Sequence, residues 1–301
     1  MDAVIFPGQG SQRPGMGSPW AGTPAWQVVE RISSVLGRDV AALLLHADGP
    51  TLQATRNAQI ASFALGLVIL DAARGAGLTF GLAAGHSLGE YTALVAAGTL
   101  SIEDAAVLVG ERAEAMQTAA DTNPGTMSAV LGLSAEDVGT ACGKSGGEAW
   151  VANDNAPGQI VIAGSPAGVT AAGKAAKELG GKVMPLTVGG AFHTPLMRPA
   201  QARLDAALAA APFGAGTVSV VANVDAESHR EAADWAALLS RQLCSPVRWR
   251  ESIGGLRGQG VSRVIEMGPG AVLSGMVKRI DPDLARSTIA TPADLATLAG
   301  T

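Results

Sequence analysis

Leu82-Ala83-Ala84-Gly85-His86-Ser87-Leu88-Gly89-Glu90-Tyr91-Thr92-Ala93-Leu94-Val95-Ala96-Ala97 is the stretch that decides the fold. Residues 82–85 are a short apolar run of strand character. Residues 89–97 are rich in alanine, with Leu94 and Val95, and read as a helix. Between them Gly85-His86-Ser87-Leu88-Gly89 fits G-x-S-x-G. That pattern sets a serine on a sharp strand-to-helix turn, where small flanking residues admit a strained backbone. The Ser87 Oγ then stands at a helix N-terminus, where free N–H groups and the dipole favour developing negative charge. The plain alternative is a glycine-bracketed serine capping a helix. The apolar strand before it and the helix after it favour a nucleophile.

Upstream, residues 3–6 are apolar and stop at Pro7-Gly8-Gln9-Gly10, a first strand feeding a glycine-rich turn. Val28, Ile32, Val35 and Leu36 carry a helical pattern, and residues 61–73 read as a buried helix. Downstream, Ser101-Ile102-Glu103-Asp104 has the form of a capping box with Asp in the Glu position, starting a helix to about Ala119. From Gly125 the character changes. Residues 127–133 are strand-like, and a short helix follows Ser134. Residues 149–153 and 159–163 are strands joined by a turn over 155–158. Pro166 opens a helix to Leu179, and 182–186 is a last strand. The order β-α-β-β-α-β is the ferredoxin-like unit. Beyond it, residues 218–222 and 264–266 are strands. Residues 271–280 form a helix with Val272, Leu273, Met276, Val277 and Ile280 on one stripe. The chain thus reads as α/β, a small domain inserted into a larger one, without internal repeats.

The composition removes several functions. The 301 residues are 48% hydrophobic and 16% charged, which excludes disorder as the main state. Five Trp, five Phe and one Tyr are too few for a base-stacking surface, and a net charge of −5 lacks the basic footprint of a nucleic-acid binder. Two cysteines, Cys142 and Cys244, without a CxxC, are too few for a zinc site or a disulfide framework and read as buried small apolar residues. The N-terminus has no signal-peptide pattern, and the longest apolar run, residues 60–70, is shorter than the roughly 20 residues of a membrane span. The expectation is a soluble, cytoplasmic protein with reduced thiols, no metal, and neither a nucleic-acid nor a membrane partner.

A serine nucleophile needs a base. Of four histidines, His86 adjoins Ser87 and points elsewhere on such a turn. His46 reads as a helix end, and His229 lies in a polar stretch and reads as solvated. His193, in Gly189-Gly190-Ala191-Phe192-His193-Thr194-Pro195, follows the small domain in a glycine-rich loop at the domain junction, where catalytic groups tend to sit. His193 is the base candidate by elimination; the alternative is a loop histidine bonded to local backbone. On the helix from Ser101, positions 105, 108, 109, 112 and 116 fall on one face, and Arg112 is the charged member of an apolar stripe. A buried guanidinium demands an anion, either Glu90 or Glu111 or a carboxylate supplied by a ligand.

These residues resemble the malonyl-CoA:acyl-carrier-protein transacylases and the acyltransferase domains of polyketide and fatty acid synthases. The matching segments are Phe6-Pro-Gly-Gln-Gly-Ser-Gln12, Gly85-His-Ser-Leu-Gly-Glu-Tyr91, the spacing from Arg112 to Met116-Gln117, Asn153-Asp-Asn-Ala-Pro-Gly-Gln159, Gly190-Ala-Phe-His193, Gln242-Leu-Cys-Ser-Pro-Val-Arg-Trp249 and Glu266-Met-Gly-Pro-Gly270. Seven segments in the family's order over nearly the whole chain are highly specific. The departures are Ala113, where the family often has Gly, and Gly-Ala-Phe before the histidine rather than the synthase-domain His-Ala-Phe.

The resemblance implies an α/β-hydrolase-like catalytic domain over 1–124 and 189–301 and a ferredoxin-like subdomain over 125–188. It implies a ping-pong acyltransferase, moving a malonyl group from malonyl-CoA to the phosphopantetheine thiol of an acyl carrier protein, in fatty acid or polyketide synthesis, without a cofactor. Ser87 would be the nucleophile and His193 the base. The backbone N–H groups of Gln9 and Leu88 would form the oxyanion hole, and the backbone carbonyl of Gln242 would orient His193. Arg112 would hold the malonyl carboxylate and Phe192 would select the acyl group. Asn155 and Met116 would lie near the cleft. The alternatives are an acyl-thioester hydrolase of the same fold, and a carrier-protein docking subunit of a larger complex. Arg112 argues against the first, and the Ser87 and His193 pair against the second.

Overall fold

A computed structural model describes residues 1–298. Its strands, in chain order, are β1 (Asp2–Phe6), β2 (Leu82–Gly85), β3 (Thr126–Leu131), β4 (Ala149–Ala156), β5 (Gln159–Gly164), β6 (Lys182–Pro185), β7 (Ser219–Val221), β8 (Ser228–His229), β9 (Arg263–Met267) and β10 (Ala285–Ile289). Six of them form one sheet in the order β10-β9-β1-β2-β7-β8, parallel except for β8. A parallel sheet is covered on both faces, so its central strands are mostly apolar. Ala3, Val4, Ile5 and Phe6 in the centre are accordingly all buried.

The register aligns the ends of the two central strands, with Phe6 opposite Gly85. The turn after β1 and the elbow after β2 therefore leave the sheet side by side at its carboxyl edge, the side where α/β sheets place their ligands. The backbone N–H of His86 donates to the Phe6 carbonyl at 2.9 Å and pins the two exits together.

The remaining four strands form an antiparallel sheet in the order β4-β5-β3-β6. Numbered within the unit this is the ferredoxin-like order expected from the sequence. Helices Ala135–Gly143 and Pro166–Glu178 cover one face, over Val130, Ile160 and Ile162. The opposite face presents Met127 and Val161 toward the elbow. The outer edge of β4 is tied to the large sheet's side of the molecule: Asp154 N–H donates to the Val247 carbonyl, and Val247 N–H to that of Ala152, each at 2.9 Å.

The Ser101 side chain caps the helix Ile102–Thr122 by accepting from Asp104 N–H, as the motif predicted. Three expectations need correction. The β4 strand runs on through Ala156, and the turn is Pro157-Gly158, so Asn155 lies in a strand rather than a turn. The cause is two irregularities in the pairing of β4 with β5, between Val151 and Asn153 and between Asp154 and Ala156. Such bulges keep a strand going while re-aiming a side chain. Val272 is 45% exposed and stands off the buried stripe of its helix, at the mouth of the cleft. Cys142 is buried, but Cys244 is only half-buried; both are free thiols. The helix Thr55–Gly75 is long and apolar enough to cross a membrane, yet most of it is packed inside the fold as a core helix.

Candidate active site

The elbow is built by close approach. A Cβ at Gly85 would stand 1.9 Å from the carbonyl of Gly89, and one at Gly89 would stand 2.1 Å from the Phe6 oxygen. Neither contact tolerates a side chain, which is why both glycines of the motif are glycines. Ser87 between them has φ +52°, a left-handed conformation that a non-glycine residue holds only when its surroundings enforce it. Asn223 does so. Its Oδ1 accepts from the Ser87 backbone N–H at 2.6 Å, and its Nδ2 donates to the Gly85 carbonyl at 2.7 Å. Asn223 comes from just beyond β7, the neighbour of β2 in the sheet. The only signal for it in the sequence is a polar residue directly after an apolar strand.

The Ser87 Oγ lies 2.8 Å from His193 Nε2, and His193 Nδ1 lies 3.0 Å from the Gln242 backbone oxygen. A carbonyl only accepts, so Nδ1 carries the proton and Nε2 is left to accept from Ser87. His193, too, is left-handed, at φ +60°. The elimination among the histidines thus ends on a direct Ser87–His193 contact. His46 follows the helix Val40–Leu45 at its C-terminus. His86 turns away from Ser87 and its Nε2 pairs with Asn155 Oδ1 at 2.8 Å, a contact between the elbow and β4. His229 is corrected: it is half-buried on β8, between Asp225 and Asp234 and edge-on to Trp235.

Arg112 is 1% exposed, on the same buried face as Ala105, Leu108, Val109 and Met116. Its guanidinium meets neither carboxylate considered from the sequence. Glu111 pairs outward with Arg203 at 2.6 Å. Arg112 Nη1 donates to Gln59 Oε1 at 2.6 Å, and Nη2 donates to Gln242 Oε1 and to Ser87 Oγ, each at 3.0 Å. All three acceptors are neutral, and the guanidinium sits over the Tyr91 ring at 5.5 Å. Among the described residues no carboxylate hydrogen-bonds to it, and it is aimed at the serine. Gln59, which also reaches Met116 Sδ at 3.4 Å, was not singled out in the sequence, where it is one polar residue in an apolar run.

Ser87, His193 and Arg112 line one cavity of about 190 Å³, together with Gln9, Leu88, Met116, Asn155 and Phe192. That is room for a short acyl group. Gln9 belongs to the turn after β1, and Leu88 is the N-cap of the helix Gly89–Ala96. Among the described residues no group of three or more His, Cys, Asp or Glu side chains is placed to hold a metal ion.

Burial and the nearby Arg112 charge together push His193 down to about 3. The ring is therefore neutral, and able to accept a proton, far below the unperturbed value of about 6.5 that the sequence alone would suggest. The acid limb of Ser87 acylation is expected well below 6.5, because the base form exists at every pH above the folded pKa. Removing Arg112 takes away the larger of the two charges that depress it, beside burial, so Arg112→Ala moves that limb toward neutrality. Burst rates against pH for the two proteins check both statements; a wild-type limb at or above 6.5 would refute the first. Glu90, beneath the elbow, is pushed up to about 7, chiefly by burial.

A serine on a strand-to-helix elbow, a neutral histidine on its Oγ and a short apolar cleft define a serine-dependent acyl-transfer centre. The family model for the acyl transferase domain matches residues 4–300, and the chain belongs to that family. It is 41% identical over 296 residues to the malonyl CoA-acyl carrier protein transacylase of Bacillus subtilis, covering 96% of this chain and 93% of the relative. The crystal structure of an acyl carrier protein S-malonyltransferase from Vibrio cholerae is similar with a TM-score of 0.94 and 39% identity, covering 99% of each chain. A malonyl-transacylase solved in complex with its type II PKS acyl-carrier protein is similar with a TM-score of 0.94 and 38% identity, covering 98% of each chain.

Proposed function

We propose that the protein transfers a malonyl group from malonyl-CoA to the phosphopantetheine thiol of an acyl carrier protein, in fatty acid or polyketide synthesis. The observation that carries the substrate is Arg112, a buried guanidinium with no carboxylate hydrogen-bonded to it among the described residues, 3.0 Å from the Ser87 Oγ. A malonyl ester on Ser87 supplies the missing anion, a carboxylate of the kind guanidinium groups bind through charge-assisted hydrogen bonds. Relatives named for malonyl transfer, and the relative solved with its carrier protein, support both substrates.

In the first half-reaction His193 Nε2 takes the Ser87 proton as Oγ attacks the thioester carbonyl. The Gln9 and Leu88 backbone N–H groups receive the oxyanion. The tetrahedral intermediate expels CoA, and His193 returns the proton to the leaving sulfur. The carrier thiol then repeats these steps in reverse on the seryl ester. Thioester and oxyester are close enough in energy that no metal or redox cofactor is needed. Arg112 has a second effect. Once the malonyl carboxylate offsets its charge, the depression of His193 eases, so the base strengthens when the correct substrate is bound. Phe192, 6% exposed in the wall of the cleft, limits branching at the acyl α-carbon by volume. Asn155 and Met116 shape the cleft. Free CoA thioesters and two reduced thiols fit a cytoplasmic location, with no nucleic-acid or membrane partner.

The test is the ratio of malonyl-CoA to acetyl-CoA specificity constants. Arg112→Ala is expected to lower that ratio by roughly 10–100-fold, equivalent to the ~1.5–3 kcal/mol of a hydrogen bond to a charged group. Acetyl transfer holds steady or rises, because the wild-type guanidinium stays unpaired with acetyl-CoA. An unchanged ratio would reduce Arg112 to a structural residue and leave the malonyl assignment resting on the relatives alone.

A further inference from the structure

Glu90 is fully buried directly behind the elbow, and none of the steps above uses it. Its Oε2 accepts two hydrogen bonds, from the Gln242 side-chain Nε2 at 3.0 Å and from the Asn223 backbone N–H at 3.0 Å. Both donors belong to residues that hold the reacting pair. Gln242 gives its backbone carbonyl to His193 Nδ1, its Oε1 to Arg112, and a further Nε2 bond to the Ser87 carbonyl at 3.0 Å. Asn223 spans the Ser87 N–H and the Gly85 carbonyl.

The Gln242 amide has only one workable orientation. Flipped, it would turn Nε2 toward the Arg112 donor and Oε1 toward two acceptors, the Ser87 carbonyl and the Glu90 carboxyl. Arg112 and Glu90 therefore fix one amide from its two ends. Among the described residues Glu90 Oε1 has no hydrogen-bond partner. A buried carboxyl with an orphan oxygen is a costly way to fill space, and an apolar side chain would fill it better. The retained oxygen is the one that meets Gln242 and Asn223.

We propose that Glu90 is a positioning residue for acyl transfer: by clamping Gln242 and Asn223 it sets the carbonyl that orients His193, the amide that receives Arg112, and the side chain that holds the left-handed Ser87. The proposal rests on the acyl-transfer reading above but not on the identity of the acyl group. Glu90 touches no substrate and acts only through its two neighbours.

Two variants separate the clamp from a general need for a carboxylate. Glu90→Gln keeps an acceptor oxygen at the same reach. Glu90→Asp keeps the carboxylate but withdraws it by one C–C bond, about 1.5 Å. Misplacement on that scale can lower a rate by about 10²-fold. The expectation is that Glu90→Gln acylates Ser87 within a few-fold of wild type. Glu90→Asp loses roughly 10–100-fold in kcat at unchanged KM, alike for malonyl-CoA and acetyl-CoA. Imidazole nitrogen NMR supplies a readout that needs no substrate. His193 is expected as the Nδ1–H tautomer in wild type and Glu90→Gln, and as a mixture in Glu90→Asp. The reverse order of the variants, a loss confined to KM, or an unaltered tautomer in Glu90→Asp overturns the clamp. If Glu90→Asp does not fold, Glu90→Gln decides alone: retained acylation with the Nδ1–H tautomer supports the clamp, and loss of either overturns it. A wild type that does not take malonyl from malonyl-CoA would instead count against the function proposed above, and the tautomer would still report on the clamp.

Discussion

Ser87→Ala leaves a folded protein that malonyl-CoA no longer labels. Malonyl-CoA alone is expected to add one malonyl group to the wild type, because the ester forms before the second substrate arrives. Among the described residues, Ser87 supplies the only hydroxyl within hydrogen-bond reach of His193. The variant keeps the elbow, since the Asn223 contacts that hold it are made by backbone atoms of Ser87 and Gly85 rather than by the hydroxyl. Alanine still has to accept φ +52°, as serine does. Intact mass spectrometry reads the result directly. A malonyl adduct on Ser87→Ala, at the wild-type stoichiometry, would move the nucleophile elsewhere.

His193→Ala is expected to slow Ser87 acylation by roughly 10²–10⁴-fold, the span for a positioned acid–base group. The same group takes the proton from Ser87 and returns it to the leaving thiol, so both half-reactions slow together. Some activity remains, because the helix N-terminus still favours the alkoxide. His229→Ala is the control. That ring is held between Asp225 and Asp234 on the edge strand, and its loss leaves acylation unchanged. Single-turnover acylation measured by mass compares the three proteins. Equal losses in the two variants would make the pairing of His193 with Ser87 incidental.

Much of the centre is legible in the chain because its causes are local. Gly85 meets Gly89, so the requirement for glycine at both ends of the elbow lies within a five-residue motif. The strand before it and the helix after it follow from apolar patterning. Arg112 reveals itself by periodicity alone, as a charge on an apolar face. The order of elements over 126–185 gives the ferredoxin-like sheet, since its strands pair with near neighbours along the chain.

Other features follow from packing between distant segments. Ser87 meets His193 across 106 residues, Asn223 across 136 and Gln242 across 155. Asn155 becomes a partner of His86 only because of irregular pairing along β4, which no residue pattern announces. Glu90 is spelled out beside the motif, yet its partners arrive from beyond β7 and from the helix Trp235–Cys244. The histidine's depressed pKa belongs here too, because desolvation and the Arg112 charge exist only once the segments are assembled. The sequence by itself singled out the candidate nucleophile, its elbow, the ferredoxin-like order of elements and the odd arginine, because strand and helix periodicity and glycine contacts act over a few residues. The tertiary structure alone decided which side chains surround that nucleophile and how they are protonated, because hydrogen-bond direction, burial and electrostatic field depend on atoms brought together from distant parts of the chain.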